Sequence, residues 1–358
     1  MNRKIIINGR FLCNKTDGIS RFSLEICKEL KKHSVNFEIL IPYWLEYENP
    51  EGFNLKRYGK LKSHFWEQIN LKSYLKKNGR PLLLNFSGLG PLFYKNQLVT
   101  IHDLSFFENK KWFSWPYSFV YRIATPIIAK SALKIITVSE FSKKEIIKNL
   151  KIDNNKIEVI HNAVSEQLES TSGCQITEQI SALCNKKIIL AVSSIDPRKN
   201  LKRLIDSFLE LEYLDYSLVL VGKKSPHFNI NLKSNSERVF FTGYVSDDDL
   251  IHLYKNCQFF IYPSLYEGFG IPPLEAMRNS CPVIVSKIPS IEEVCADAAV
   301  YVDPYNNEDI SRSMKELIKN GDLRRQMSVK GYQRSFEFSW SKSAEKLKNL
   351  LNEINQIN

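Results

Sequence analysis

The stretch Ile261-Tyr262-Pro263-Ser264-Leu265-Tyr266-Glu267-Gly268-Phe269-Gly270-Ile271-Pro272-Pro273-Leu274-Glu275-Ala276-Met277 decides the reading of this chain. It closes an apolar run, Phe259 to Tyr262, of the length and composition of a buried strand. A glycine-bracketed turn follows, Gly268-Phe269-Gly270, where backbone can approach a ligand with no Cβ in the way. Pro272 and Pro273 suit the first turn of a helix, where a missing N–H costs least. Strand, open turn and helix start together offer N–H groups and a positive dipole end to an anion. Glu267 and Glu275 frame the turn, the second expected in the helix's first turn. Carboxylates do not serve an anion, so they are read as serving hydroxyls beside it.

Outward from this stretch, short β-rich runs alternate with helix-length amphipathic stretches. The strand candidates in the first half are Lys4–Ile7, Phe37–Pro42, Leu82–Phe86, Leu98–His102, Lys134–Val138 and Lys156–His161. In the second half they are Ile188–Ser193, Ser217–Val221, Arg238–Thr242, Gln258–Tyr262, Pro282–Ser286 and Ala299–Val302. Most are continuous apolar runs, the mark of parallel strands covered on both faces. Two successive sets of strand–helix units predict two doubly wound α/β domains, residues 1–175 and 176–340. The polar stretch Ser165–Gln179 is the expected linker. A last helix over 341–358, with Leu347, Leu350, Leu351 and Ile354 on one face, is expected to return to the first domain.

The totals bound the class. A chain of 358 residues, 43% hydrophobic and 25% charged, has ordinary globular composition. Its formal net charge of +11 is concentrated. Residues 1–175 hold 27 Lys and Arg against 16 Asp and Glu, whereas residues 176–358 hold 23 of each. Lys56 to Arg80 contains eight basic residues and one acid, Glu67, with Leu61, Phe65 and Ile69 at helical spacing. Lys110 to Arg122 adds Trp112, Phe113, Trp115, Tyr117, Phe119 and Tyr121. These segments are read either as helix faces packed on the sheet or as a basic, aromatic surface toward anionic lipid. No nucleic-acid recognition motif accompanies the charge, and nucleic acid is not expected as a partner. The seven cysteines (Cys13, Cys27, Cys174, Cys184, Cys257, Cys281, Cys295) form no C-x-x-C pair, consistent with free thiols in a reducing cytoplasm. No apolar run has the length of a membrane span, and the start carries no signal-peptide pattern.

In doubly wound sheets ligands lie outside the carboxyl ends of strands. The loop Gly9 to Gly18 follows the first strand but lacks G-x-G-x-x-G, which argues against a nicotinamide cofactor. His102-Asp103 follows the fourth candidate strand. Ser194-Ile195-Asp196-Pro197-Arg198-Lys199-Asn200 follows the seventh. Two adjacent cations at a helix start are electrostatically awkward unless an anion comes to them, so Arg198 and Lys199 are candidates for a diphosphate. Ser246-Asp247-Asp248-Asp249 is read as a helix start, Ser246 the N-cap, rather than as a D-x-D metal site.

With these residues assembled, the chain resembles the retaining glycosyltransferases of family 4, close to bacterial O-antigen mannosyltransferase-like and rhamnosyltransferase-like enzymes. The resemblance runs through Ile7-Asn8-Gly9-Arg10, His102-Asp103-Leu104, Thr137-Val138-Ser139-Glu140-Phe141-Ser142 and Ile160-His161-Asn162-Ala163-Val164. It continues through Pro197-Arg198-Lys199-Asn200, Thr242-Gly243-Tyr244-Val245, the opening stretch, and Phe338-Ser339-Trp340. The Glu267-x7-Glu275 pattern with its Gly-Phe-Gly interior is the specific signal.

The resemblance implies the GT-B fold, two Rossmann-like domains facing each other across a cleft, and a nucleotide-sugar donor held mainly by the C-terminal one. It implies that Glu275 accepts hydrogen bonds from the ribose diol and that Glu267 lies by the donor sugar and leaving phosphate. Gly268, Phe269 and Gly270 would offer N–H groups to sugar and phosphate. Lys199 and Arg198 would neutralise the diphosphate in a metal's place, so no metal and no cofactor beyond the donor are expected. Arg198 would supply the charge that many relatives carry on an arginine where this chain has Ser194. Tyr244 and Val245 would lie near the base. His102, with Asp103 beside it, would face the donor sugar, and Gly18 would let the first loop close.

The implied activity is hexose transfer with retention of configuration by front-face displacement, the leaving phosphate taking the acceptor's proton. GDP-mannose is the first expectation for the donor, with UDP- or dTDP-sugars behind it. The expected acceptor is a lipid-linked glycan of O-antigen or surface polysaccharide, met at the cytoplasmic face of the inner membrane through the basic first domain. A nucleotide-sugar epimerase of the same fold and a non-catalytic nucleotide-sugar or glycan binder are the alternatives.

Overall fold

The computed structural model describes residues 4–13, 18–168, 176–223 and 236–357. It divides into two compact units. The first comprises the chain to Glu108, Trp115–Asn162 and the segment from Ser339 onward; the second comprises Asn109–Ser114 and Ala163–Phe338.

The first unit is built on seven parallel strands: β1 (Ile5–Asn8), β2 (Glu38–Ile41), β3 (Leu55–Arg57), β4 (Leu82–Asn85), β5 (Gln97–Thr100), β6 (Lys134–Thr137) and β7 (Ile157–Val159). Their order is β3-β2-β1-β4-β5-β6-β7, so the winding reverses between β1 and β4. Every residue of β1, β4 and β5 is buried, as continuous apolar runs require of central strands. The edge strand β3 is absent from the sequence reading. It is only Leu-Lys-Arg, two of its residues exposed, and carries no apolar run to betray it.

The terminal helix spans Trp340–Ile357 and packs against helix Gly18–Lys32 within this unit. Trp340 meets Phe22 edge to face at 5.9 Å. Lys348 Nζ donates to His33 O at 3.2 Å and Ser343 Oγ to His161 O at 2.7 Å. Leu347, Leu350, Leu351 and Ile354 form its buried stripe.

Leu61, Phe65 and Ile69 do not form a packed face. All three are exposed, and Trp66, Leu71, Tyr74 and Leu75 turn inward instead. A π-helical turn over Trp66–Leu71, between helical Ser63–Phe65 and Lys72–Lys77, rotates the inward stripe away from regular spacing.

The second unit carries six parallel strands: β8 (Lys187–Val192), β9 (Tyr216–Val221), β10 (Val239–Gly243), β11 (Phe259–Tyr262), β12 (Val283–Ser286) and β13 (Val300–Val302). Their order, β10-β9-β8-β11-β12-β13, reverses between β8 and β11. Helix Leu201–Leu209 lays Leu204, Ile205 and Phe208 on the sheet, with Met314 and Leu317 of helix Asn307–Lys319 in the same core.

The start of the expected linker is already part of this unit. Leu168 is fully buried and its carbonyl accepts from Asn279 Nδ2 at 3.2 Å. The division therefore falls at Asn162–Ala163 rather than at 175–176. Most of the remaining polar stretch lies outside the described residues. No helix among the described residues is long and apolar enough to cross a membrane.

Candidate active site

The site is built at the carboxyl ends of β8 and β11, where the second sheet reverses. After β8 the chain enters Ser194–Asn200. Asp196 caps a short 3₁₀ turn, Pro197–Lys199, by accepting from the Arg198 N–H at 3.0 Å. Ser194 Oγ donates to the other Asp196 oxygen at 2.8 Å. Asn200 then adopts the left-handed conformation, φ 59°, which its short amide side chain tolerates. That amide donates to Pro263 O at 3.1 Å and Pro304 O at 2.7 Å, fastening the loop to the segment that follows β11. Leu265 N–H donates to Arg198 O at 2.8 Å, a second tie between the two loops.

These ties carry Lys199 into the sheet end. Its ammonium donates to Glu267 Oε1 at 2.6 Å and to the Tyr262 hydroxyl at 2.8 Å. Lys199 and Glu267 are each only 7% exposed. Burial pushes the Glu267 carboxyl toward the neutral form, but Lys199 and Arg198 outweigh it and hold the group below the ordinary carboxylate value. Burial, with Glu267 beside it, keeps Tyr262 protonated far above the usual phenol range. Arg198 Nε lies 3.8 Å from Asp196 Oδ1. The loop after β8 thus supplies two cations, one committed to the acid after β11.

Gly270 precedes helix Ile271–Arg278 with φ 110°, and a Cβ there would come within 2.4 Å of Ile291 Cδ1. Pro272 lies at the helix start, as its fixed φ favours. Glu275 does not fall in the first turn, which contains no acid, but further along the helix. It is buried, and its Oε2 accepts from the Tyr254 hydroxyl at 3.2 Å. Phe269 is buried against Phe338 at 5.4 Å.

Tyr244 follows β10 and is half exposed, with Lys223 Nζ 5.7 Å from its ring centre; Val245 beside it is partly buried. The Asp247–Asp249 run is a helix start. Ser246 Oγ accepts from the Asp249 N–H at 3.1 Å, and the Asp249 carboxylate accepts from Thr177 N–H at 3.0 Å.

The structure therefore brings together Arg198, Lys199, Tyr262 and Glu267 within the second unit, with Gly268–Gly270 and Glu275 on the same connection. His102, Asp103 and Gly18 belong to the first unit. His102 follows β5, its Nε2 2.9 Å from Phe86 O and its ring edge-on to Phe22 at 5.1 Å. Asp103 accepts from Ser105 N–H at 2.9 Å and Ser105 Oγ at 2.6 Å, just ahead of helix Ser105–Glu108. Gly18 opens helix Gly18–Lys32. Sequence reasoning missed Tyr262, Tyr254 and Asn200 as members of the site. Tyr262 read as part of a buried apolar strand, which it also is. The signal for Asn200 was its place directly after the two cations.

Two Rossmann-like units with this loop chemistry define the GT-B class of transferase fold. Anabaena HepE, solved in complex with UDP-glucose, matches 98% of this chain and 100% of its own with TM-score 0.76 at 16% identity. Residues 175–334 match the pattern described as "Glycosyl transferases group 1" and residues 16–168 that described as "Glycosyltransferase Family 4". The O-antigen chain mannosyltransferase B of Escherichia coli is 29% identical over 355 residues, covering 90% of this chain and 92% of that protein. The O-antigen chain mannosyltransferase RfbU of Salmonella typhimurium is 31% identical over 271 residues, 72% of this chain and 68% of RfbU. The chain belongs to the family 4 glycosyltransferases. Neither an epimerase nor a non-catalytic binder is favoured by these likenesses.

Proposed function

We propose that this glycosyltransferase moves mannose from GDP-mannose, with retention of configuration, to a lipid-linked O-antigen or related surface glycan. The observation that carries the reading is the buried Lys199–Glu267 pair at the reversal point of the second sheet, with Arg198 in the same loop. Cations held there stabilise the charge that develops on a leaving diphosphate, and fixed charges of this kind commonly lower a barrier more than any other device. The names of both relatives support mannose as the hexose. HepE's UDP-glucose makes a uridine donor the nearest alternative.

In this reading Glu275 accepts from the ribose hydroxyls, and Gly268–Gly270 and the following helix start lie along phosphate and sugar. Tyr244 and Val245 border the base. Lys199 and Arg198 neutralise the diphosphate. The leaving phosphate takes the acceptor's proton, so no protein base is needed and positioning supplies most of the remainder. Purified chain, nucleotide sugar and a lipid-linked glycan, analysed by NMR of the new anomeric centre, test it. An α-linked product from an α-linked donor is expected. Inverted product, or transfer from no nucleotide sugar, overturns it.

Association with a membrane surface is supported by the first unit's exposed Trp115, Phe119, Val120 and Ile123, in a chain whose excess charge lies in its first half. About 1 kcal/mol per basic residue near anionic lipid gives reversible binding. Salt-sensitive co-sedimentation with phosphatidylglycerol vesicles is expected, and equal recovery with neutral vesicles refutes it.

A further inference from the structure

Three thiols stand in a row at the amino end of the second sheet, the end opposite to Lys199 and Glu267. Cys184 lies three residues ahead of β8, Cys257 two ahead of β11 and Cys281 two ahead of β12, and these strands are neighbours. Two of the thiols touch: Cys257 Sγ lies 3.1 Å from Cys281 Sγ. Strand pairing holds them there. Phe260 pairs with Val283, and the Phe260 N–H donates to Pro282 O at 2.9 Å. Adjacent parallel strands run about 4.8 Å apart, inside the roughly 4.4–6.8 Å that disulfide Cα atoms span.

The two cysteines differ in surroundings. Cys281 is 2% exposed, and burial, with Cys257 against it, pushes its thiol well above the ordinary range. Cys257 is partly exposed at the end of helix Asp247–Asn256, its Sγ donating to Tyr254 O at 3.4 Å. A buried cysteine is ordinarily a small apolar filler. Two set sulfur to sulfur, one of them open to solvent, are also a dithiol. Closing the bond takes an approach of only about 1 Å, to the roughly 2.05 Å of a disulfide.

The flanking helices give such a bond its consequence. Helix Asp247–Asn256 carries Tyr254, whose hydroxyl donates to Glu275 at 3.2 Å. Cys281 follows helix Ile271–Arg278, which carries Glu275, and its N–H donates to Ala276 O at 2.9 Å. A sulfur–sulfur bond would add a covalent tie to two helices already joined through Tyr254 and Glu275.

We propose that Cys257 and Cys281 form a redox-sensitive modification site, converted by a small-molecule disulfide of the glutathione class into an intramolecular disulfide that locks these helix ends together. The exposed member reacts first. Cys257 as thiolate attacks one sulfur of the small disulfide, forming a mixed disulfide and releasing a thiolate that takes up the proton Cys257 lost. Cys281 then attacks Cys257 Sγ, and the second thiolate leaves with the Cys281 proton. One protein disulfide and two small thiols result, the two electrons having passed to the small disulfide. Burial keeps Cys281 from reacting with anything but the sulfur beside it.

The test equilibrates the full-length chain with oxidised glutathione, traps remaining thiols with N-ethylmaleimide and maps peptides by mass spectrometry without reductant. Most chains are expected to yield the Cys257 and Cys281 peptides linked and two hydrogens lighter, and dithiothreitol to release them. Cys184, whose thiol burial and nearby Cys257 push up to about 11, is the competing partner. Cys184→Ser is expected to leave the linkage intact. The residues joined are 24 positions apart, and closing a loop of that length restricts the unfolded chain. The linked protein is therefore expected to melt several degrees above the reduced one, a difference absent from Cys257→Ser. Full alkylation of Cys257 after oxidised glutathione overturns the inference, as does glutathione retained on Cys257 or a link from Cys257 to any other cysteine. A linked chain that melts no higher than the reduced one overturns the lock. The wild-type peptide map decides even where a serine variant does not fold.

Discussion

Lys199 and Glu267, 68 positions apart, are joined at 2.6 Å in a place almost closed to water. Removing one partner of such a pair strands the other charge, at a cost of about 3–5 kcal/mol. Glu267→Leu and Lys199→Met should each lower stability by that order. The double variant Lys199→Met with Glu267→Leu should recover much of the loss while remaining inactive. Urea unfolding of the four proteins measures the cycle. Additive single effects would show that the two groups are not coupled.

The same pair sets an acid limit. The folded Glu267 carboxyl lies below its ordinary value of 4.5, so its contribution to stability is complete above that value. It is lost as pH falls below 4.5, because the unfolded state then binds the proton first. Wild type should lose melting temperature between roughly pH 5 and pH 3 more steeply than Glu267→Gln. Parallel curves would mean that other carboxylates carry the acid limb.

Glu275 bears on donor affinity rather than on the acid limit. Its carboxylate accepts from Tyr254, a hydroxyl kept protonated by burial and by Glu275 itself. If Glu275 also accepts from a ribose diol, Glu275→Ala should weaken donor affinity by about 1.5–3 kcal/mol, the range for hydrogen bonds to a charged group. Tyr254→Phe should cost far less affinity, since it leaves the carboxylate in place. Calorimetry with the nucleoside diphosphate measures both. Equal losses would make Glu275 a packing residue.

Much of this was legible because a parallel sheet buried on both faces writes itself as continuous apolar runs, and because loops after strands carry the chemistry. Twelve of the thirteen strands came from such runs; β3 did not, being half exposed at an edge. The cations of Pro197–Asn200 and the two acids were legible as charges set in the connections that follow buried strands. Their pairing was not, since Tyr262 and Asn200 bind across loops through a hydroxyl and an amide that leave no periodicity. Glu67 was legible only as a lone acid in a basic run. The π turn that buries it has no pattern of its own in the sequence, and it sends Phe65 and Ile69 outward where helical spacing would pack them.

Asn200 fixes the loop that carries Lys199, through a left-handed backbone and two bonds to Pro263 O and Pro304 O. Arg203 in turn donates to its Oδ1 at 2.7 Å. Two substitutions separate the backbone contribution from the side-chain one. Asn200→Gly keeps the left-handed turn and loses the bonds; Asn200→Ala loses the bonds and adds about 1–2 kcal/mol of strain. Both should lower kcat at least tenfold with little change in donor KM, since a displaced ammonium weakens the transition state more than ground-state binding. The alanine variant should melt several degrees below the glycine one. A rise in KM with kcat intact in both would instead make Asn200 part of donor binding, and unchanged kinetics would remove it from the site altogether.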